Sequence, residues 1–217
     1  MKSYRYHLIK NFEENASVFK KIFGNIIFLI GVTKVTWRKN NLTPQDYKNA
    51  LKIIQKGDML LVGNHRRASG LFIRGPVTHA CIYTGGGRVI HAVSDGVVRE
   101  KFRNFFSEYD TLAILRPRLK KHKKTIIKKT VRYARKQIGK PFDFFFASKQ
   151  QQFFCSQLVN DAYHQAGFNT GLANHKKAEN VIEKNLLMVT RALHPKEFFN
   201  GNFDTIFLSE SLKDIEI

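Results

Sequence analysis

The sequence is poor in cysteine and in long apolar runs, and each shortage narrows the class of protein. Two cysteines, Cys81 and Cys155, in 217 residues are too few for a disulfide framework. We therefore expect a reducing compartment, with a single Cys81–Cys155 bridge as the alternative. A membrane-spanning helix needs about 20 apolar residues, whereas the run from Ile22 to Val32 is shorter and contains Asn25. This run predicts a core helix, and a segment on a membrane surface is the alternative.

Acidic residues are scarce beside the basic ones. The chain has 37 Lys and Arg against 17 Asp and Glu, a formal net charge of +20 at pH 7. Such an excess favours polyanionic partners, either nucleic acid or an anionic membrane surface. Hydrophobic residues at 43% are ordinary for a globular protein. No secretory signal is recognisable, because the charged stretch before the first apolar run is too long, and we expect a cytoplasmic protein with a possible peripheral membrane contact.

Local patterns divide the chain into a basic N-terminal extension, residues 1–41, and one catalytic domain, residues 42–217. Thr43 and Pro44 are typical of a helix start. Gly85-Gly86-Gly87 is a strong hairpin-turn signal. Short apolar segments predict a buried strand first and then three consecutive antiparallel strands: Met59 to Gly63, followed by Val77 to Tyr83, Arg88 to Val93 and Thr111 to Leu115.

A strongly basic helix is predicted between Arg118 and Lys140, where the chain has no acidic residue. Apolar side chains recur there at helical spacing and form a stripe, namely Ile126, Ile127, Val131, Ala134 and Ile138. We expect this stripe to pack against the domain and the lysines to form an exposed face.

Cys155 begins a second amphipathic helix, which Gly167 should end. Its buried face is predicted to comprise Leu158, Val159, Ala162, Tyr163 and Ala166. Backbone N–H groups at a helix N-terminus favour negative charge, so the pKa of this thiol should be lowered. The Cys155 N–H is also a candidate oxyanion donor. A buried structural cysteine is the alternative.

Two histidines lie in adjacent predicted strands. His79 shares a strand face with Val77, Cys81 and Tyr83, and His91 follows the triple-glycine turn. Antiparallel neighbours can set two imidazoles side by side, so that one orients the other. A thiol, a base and an orienting group are the parts of a cysteine hydrolase. Zinc bound by both histidines and a cysteine is a further option, although the spacing matches no common zinc motif.

The order of these motifs is similar to that of a known superfamily. A Gly-Asp pair precedes a strand, and then come T-H-A-C-I-Y-T-G, V-I-H-A, G-K-P-F-D and F-F-C-S-Q-L-V-N-D-A-Y. This order resembles the permuted branch of the NlpC-type papain-like superfamily, which includes YiiX/YebB-like proteins and lecithin:retinol acyltransferase-like enzymes. The resemblance covers residues 57–167, with a weaker echo at H-P-K-E-F, residues 194–198. In that branch the histidine precedes the cysteine, as His79 precedes Cys155 here.

The resemblance implies an α+β fold of the circularly permuted papain-like type, in which an antiparallel sheet packs against helices and the nucleophile lies at a helix N-terminus. It implies Cys155 as nucleophile, His79 as general base and His91 as the third polar residue, with no cofactor and no metal. Many YiiX-like relatives carry Glu at the third position, whereas the acyltransferase-like ones carry His, as this chain does. Gln157 departs from the commoner C-S-E-L, a change that should not affect the nucleophile.

We therefore expect a cysteine-dependent hydrolase or acyltransferase that acts on an amide, ester or thioester bond through an acyl-enzyme on Cys155. The resemblance implies a small-molecule, lipid or peptide acyl substrate. The basic helix would suit peripheral contact with an anionic membrane. A non-enzymatic nucleic-acid-binding protein is the alternative, disfavoured because the sequence has no stacking motif or zinc-finger spacing.

Overall fold

The chain forms one antiparallel sheet with helices packed on both of its faces. A computed structural model describes residues 6–33, 41–65, 75–144, 152–174 and 192–213. Its elements in chain order are α1 (Val18–Val32), α2 (Pro44–Ile53), β1 (Met59–Gly63), β2 (His79–Gly85), β3 (Arg88–Val93), β4 (Gly96–Lys101), α3 (Phe102–Phe106), β5 (Thr111–Pro117), α4 (Lys123–Lys136), α5 (Cys155–His164), a 3-10 helix (Pro195–Asn200), β6 (Phe203–Leu208) and α6 (Glu210–Lys213).

The six strands lie in the order β4-β3-β2-β1-β5-β6, and all neighbours are antiparallel. The predicted hairpin joins β2 to β3, and Gly85, Gly86 and Gly87 adopt φ values of 82°, 59° and 65°, which only glycine adopts without strain. The expected place of β5 is corrected: it pairs with β1 and not with β3. β4, which the sequence did not predict, occupies the position beside β3.

Two apolar layers cover the sheet, because successive side chains of a strand point to opposite faces. On one face Ala80 and Ile82 pack with Val159 of α5 and Val131 of α4. The other face lies against α2 and α3; its core includes Leu60, Val62, Cys81, Ala50, Phe102 and Phe105. The sheet is therefore buried on both sides, and α5 is held against its central strands.

The basic helix α4 agrees with its predicted pattern at most positions. Val131 and Ala134 are buried and Ile126 and Ile127 are half-buried, while the lysines of the helix are exposed. Ile138 is an exception, because the helix ends before it and leaves it 43% exposed.

The apolar run near the N-terminus forms α1, but the prediction of a core helix is wrong for most of its side chains. Only Gly24, Phe28 and Val32 are buried. A bond of 2.7 Å from the Ile9 N–H to Asn25 Oδ1 helps to hold the helix against the preceding chain. None of the helices in the described ranges has the length and apolarity to cross a bilayer.

Candidate active site

Cys155 is the first residue of α5, as the sequence predicts, and it is 8% exposed. Phe154 precedes it as the N-cap and makes no side-chain capping bond to the helix. The first turn therefore presents backbone N–H groups that its own helix cannot satisfy. At the other end Gly167, with φ of 86°, follows the helix where the sequence predicts its end.

A short break in strand pairing lies beside this thiol. The ladder between β2 and β3 runs from Gly85↔Arg88 to Ile82↔Ile90, and in the described sheet it does not extend to His79. The backbone N–H of Ala80 is near enough to the Cys155 sulfur to lower the pKa of this thiol. The N-terminus of α5 thus meets β2 immediately next to His79. Cys81 and Cys155 are both free, so the alternative of a disulfide bridge is wrong.

The two imidazoles lie side by side, as the strand pattern predicts. His79 Nε2 is 2.9 Å from His91 Nδ1. The ring of Tyr109 stacks on His79 with centroids 5.9 Å apart and planes 6° apart, and Phe105 packs edge-on against His91 at 5.2 Å. These aromatic walls fix the ring orientations. Nε2 of His79 is engaged by His91, so Nδ1 is the ring nitrogen that this contact does not use.

Glu100 is a further member of this group that sequence reasoning missed. Its Oε2 lies 3.5 Å from His91 Nε2, long for a hydrogen bond. The β3–β4 register pairs His91 with Val98 and Val89 with Glu100, which makes His91 and Glu100 diagonal neighbours. The sequence did contain a signal for Glu100. The residues V-V-R-E-K after the Asp95-Gly96 turn alternate between apolar and polar, and a strand predicted there would have placed Glu100 beside β3.

The contacts among Glu100, His91 and His79 indicate which ring nitrogen of each histidine carries the proton. A Glu100 carboxylate can only accept, so it favours the His91 tautomer that carries its proton on Nε2. His91 Nδ1 is then an acceptor for the N–H on His79 Nε2. His79 is left with a lone pair on Nδ1, as a general base requires. Burial is the largest single influence and alone would raise the pKa of Glu100; the interaction with His91 is the main one opposing it, and the net effect is a lowered pKa.

The expected lowering of the thiol pKa is wrong. Burial raises the pKa of Cys155, although N–H groups of Ala80, Ser156 and Cys155 itself oppose the rise. Burial, with a smaller contribution from the charge of His91, holds the pKa of His79 well below its usual range. Helix N-terminal stabilisation is local, whereas the loss of water around the sulfur comes from the tertiary fold and is larger here. Both the thiol and the imidazole are therefore neutral at rest.

The donor set does not fit the zinc option that the sequence left open. His91 Nδ1 and His79 Nε2 are directed at each other at 2.9 Å, so neither atom is available to a metal. In the described ranges no group of three or more His, Cys, Asp or Glu side chains is arranged to hold a metal ion.

Other residues noted in the sequence are structural. The Tyr83 hydroxyl accepts a hydrogen bond of 3.0 Å from the Gly87 N–H and so closes the hairpin. Gln157 is 2% exposed and interacts with Asp161 one turn along α5.

Comparisons with known proteins support the family and the fold. Residues 53–202 match the family model of a permuted papain-like amidase enzyme, YaeF/YiiX, C92 family. The fold is similar to that of yiiX from Escherichia coli O157:H7, described as a metalloprotein, with a TM-score of 0.55 and 16% identity over 70% of this chain and 96% of that one. A search of curated proteins gave no match.

Proposed function

Because the chain belongs to the permuted papain-like amidase family of the YaeF/YiiX type, we propose that it is a cysteine hydrolase that cleaves an amide bond through an acyl-enzyme on Cys155. The observation that carries the proposal is that the start of α5 meets β2 at Ala80, the residue that follows His79 in the strand. The Ala80 N–H lowers the pKa of the thiol, while His79 lies 2.9 Å from His91, which in turn lies 3.5 Å from Glu100.

The reaction begins from the neutral pair. As the Cys155 sulfur bonds to the carbonyl carbon, its proton passes to His79 Nδ1, and the carbonyl oxygen takes up negative charge that the Cys155 N–H stabilises. The C–N bond then breaks, and the imidazolium returns the proton to the departing amine. Water attacks the resulting thioester while His79 takes one of its protons, which then goes to the leaving thiolate. The acid product and the free enzyme result.

His91 and Glu100 are positioning residues in this scheme. Neither bonds to the reacting atoms; they keep His79 in the tautomer with a free Nδ1 and stabilise the imidazolium that forms. Without a nearby negative charge, the free energy of a buried imidazolium among aromatic side chains would be high. The Glu100 carboxylate supplies the compensating negative charge two side chains away from the sulfur.

The substrate class we propose is an amide-linked acyl group of a lipid or an acylated peptide. The positive surface and the apolar exposed face of α1 both favour such amphiphiles. Ester and thioester bonds are chemically easier for the same acyl-enzyme, and transfer to an acceptor other than water uses the same intermediate. His91 at the third position, as in acyltransferase-like relatives, supports testing transfer beside hydrolysis.

A panel of chromogenic substrates tests the proposal. Fatty-acyl and peptidyl p-nitroanilides report amide cleavage, and the matching p-nitrophenyl esters report the easier step. We expect turnover that Cys155→Ala abolishes and Cys81→Ala leaves nearly unchanged, with the trapped acyl mass mapping to Cys155. His79→Gln should lose nearly all activity, and His91→Gln should retain part of it. Turnover that survives in Cys155→Ala, or an acyl group on another residue, would rule out this mechanism.

Hydrolysis and transfer are separated in the same assay by adding a soluble amine or alcohol acceptor. An acyltransferase would divert product from the free acid to the acyl-acceptor adduct at acceptor concentrations far below that of water. A hydrolase would give the free acid alone.

A further inference from the structure

The outward half of α1 is entirely apolar. At about 3.6 residues per turn, one continuous half of the helix carries only large apolar side chains. Those that are 36% to 72% exposed are Val18, Phe19, Ile22, Ile26, Ile27, Leu29 and Ile30, and Phe23 completes the set. We call these residues the α1 apolar face. A soluble protein normally leaves such side chains scattered, and a contiguous patch marks an interaction site.

The other half of the helix is attached to the protein and cannot turn to bury the α1 apolar face. Phe28 and Val32 pack with Ile9 and Phe144. Gly24 lies against the rings of Phe12 and Phe144, where even an added Cβ would be 2.8 Å from Phe12. The helix is thus fixed with its small and packed residues inward and its large apolar residues outward.

We propose that the α1 apolar face inserts into the surface of an anionic lipid bilayer. At ~1.5 Å per residue a helix of 15 residues is too short for the ~30 Å hydrocarbon core, so it lies in the interface plane with its apolar half in the acyl region. The helix has no acidic residue, and Lys20 and Lys21 lie on its other half.

Charge identifies the bilayer as the occupant and not a second copy of the chain. The net charge of +20 makes two protomers repel each other, whereas it attracts the protein to anionic headgroups. The Tyr6 side chain, 66% exposed, reaches Thr33 at the C-terminal end of the helix with its hydroxyl 3.5 Å from Thr33 Oγ1. A tyrosine with an apolar ring and a polar tip suits the depth of the headgroups.

α1 is also linked to the chain that enters the active site. Phe144 packs against α1, and the neighbouring Asp143 N–H donates a 3.1 Å hydrogen bond to the Phe153 carbonyl, two positions before Cys155. Insertion of α1 would therefore bring a bilayer to the part of the molecule that carries the nucleophile. Only this last step rests on the proposed function; the binding itself does not.

Vesicle co-sedimentation of the full chain tests the inference. We expect wild type to bind phosphatidylglycerol vesicles and to bind phosphatidylcholine vesicles more weakly. Ile22→Asn with Ile26→Asn should lower the bound fraction at fixed lipid at least about tenfold, because two inserted side chains become polar. The matched control is Leu51→Asn with Ile138→Asn, which alters side chains that are 42% and 43% exposed elsewhere, and it should bind like wild type.

The outcomes are distinguishable from those of the catalytic proposal. Cys155→Ala should bind vesicles like wild type, and the α1 variant should keep activity on a soluble substrate. Equal vesicle binding by the α1 variant and its control would overturn the inference. So would a wild-type dimer in sedimentation velocity that the α1 variant converts to a monomer without any vesicle binding.

Discussion

At the scale of single residues, Cys155 experiences two opposing effects. Its place at the start of α5 favours the thiolate, and this much could be read from the sequence. Its burial favours the neutral thiol and dominates, so the pKa is raised. Burial arises when α5 packs over β2 and β3, which are distant in sequence, and no local pattern could have indicated its size. The position of Cys155 at the start of α5 was predictable, but its resting protonation state was not.

The pH dependence of alkylation tests this protonation state. Since the pKa of Cys155 is raised, the thiolate fraction at neutral pH is smaller than that of an ordinary cysteine, and the iodoacetamide rate should climb steadily into the alkaline range. Cys81 should react still more slowly at every pH, because it is fully buried and burial holds its pKa well above the usual range. Mass mapping of labelled peptides measures both rates. A Cys155 rate that is already maximal and flat at acidic pH would show a preformed thiolate–imidazolium pair instead.

Glu100 is testable by an isosteric change. Glu100→Gln removes the carboxylate and offers His91 an amide that can donate, which disturbs the tautomer order and should lower kcat/KM at least about tenfold. The acidic limb of the pH profile should also move to lower pH, because the imidazolium of His79 loses its nearby negative charge. Arg99→Gln, an exposed neighbour on β4, is the control and should keep wild-type kinetics. Loss of activity with an unshifted pH profile would indicate only a structural role.

At the scale of elements, local patterns predicted single strands well and their pairing poorly. The bounds of β1 and β3 agree with the apolar runs, and the glycine turn gave the β2–β3 hairpin. The pairing of β5 with β1 joins segments about fifty residues apart along the chain, and alternation within a strand carries no information on such partners. The missed β4 is why Glu100 was missed. Likewise the periodicity of α1 was visible, but its outward direction was not.

An ion pair with one buried partner joins the two strands whose contact was not predicted. Arg116 at the end of β5 donates to both oxygens of Asp58, just before β1, at 2.9 and 2.8 Å, and Asp58 is 2% exposed. Asp58→Asn should lower the free energy of unfolding by about 2–4 kcal/mol, since it leaves a partly buried guanidinium unpaired. Denaturant unfolding measures the change.

The chain supplies a matched control for that ion pair. Arg118 and Asp204 form the same kind of contact at 2.7 Å, but both side chains are more than half exposed. Asp204→Asn should therefore change stability by less than about 1 kcal/mol. Equal losses in the two variants would mean that burial does not set the strength of the Asp58 contact.

At the scale of the whole molecule, the excess of basic residues is the property that the fold explains least. Net charge does not select a fold, and most of the lysines lie at the surface. Lys120 and Lys121 lie just before α4, and Lys123 and Lys124 lie in its first turn. All four are exposed, while the α1 apolar face belongs to another helix. Two contributions to membrane binding then follow, one electrostatic and screened by salt, the other apolar and largely insensitive to it.

Two variants separate these contributions, each with four lysines replaced by Gln at a different place on the surface. Changing Lys120, Lys121, Lys123 and Lys124 to Gln should weaken binding to phosphatidylglycerol vesicles at least about tenfold at low salt, since each lysine near the surface adds about 1 kcal/mol. The difference from wild type should vanish in high salt, where charges are screened within a few ångströms, while α1 keeps part of the binding. Activity on a soluble ester should not change.

The control variant replaces four other exposed lysines by Gln, namely Lys48, Lys52, Lys56 and Lys101, so that it loses the same amount of charge. If both variants lose equal affinity, the net charge alone attracts the protein and α4 has no docking role; a larger loss for the α4 variant assigns the contact to that helix.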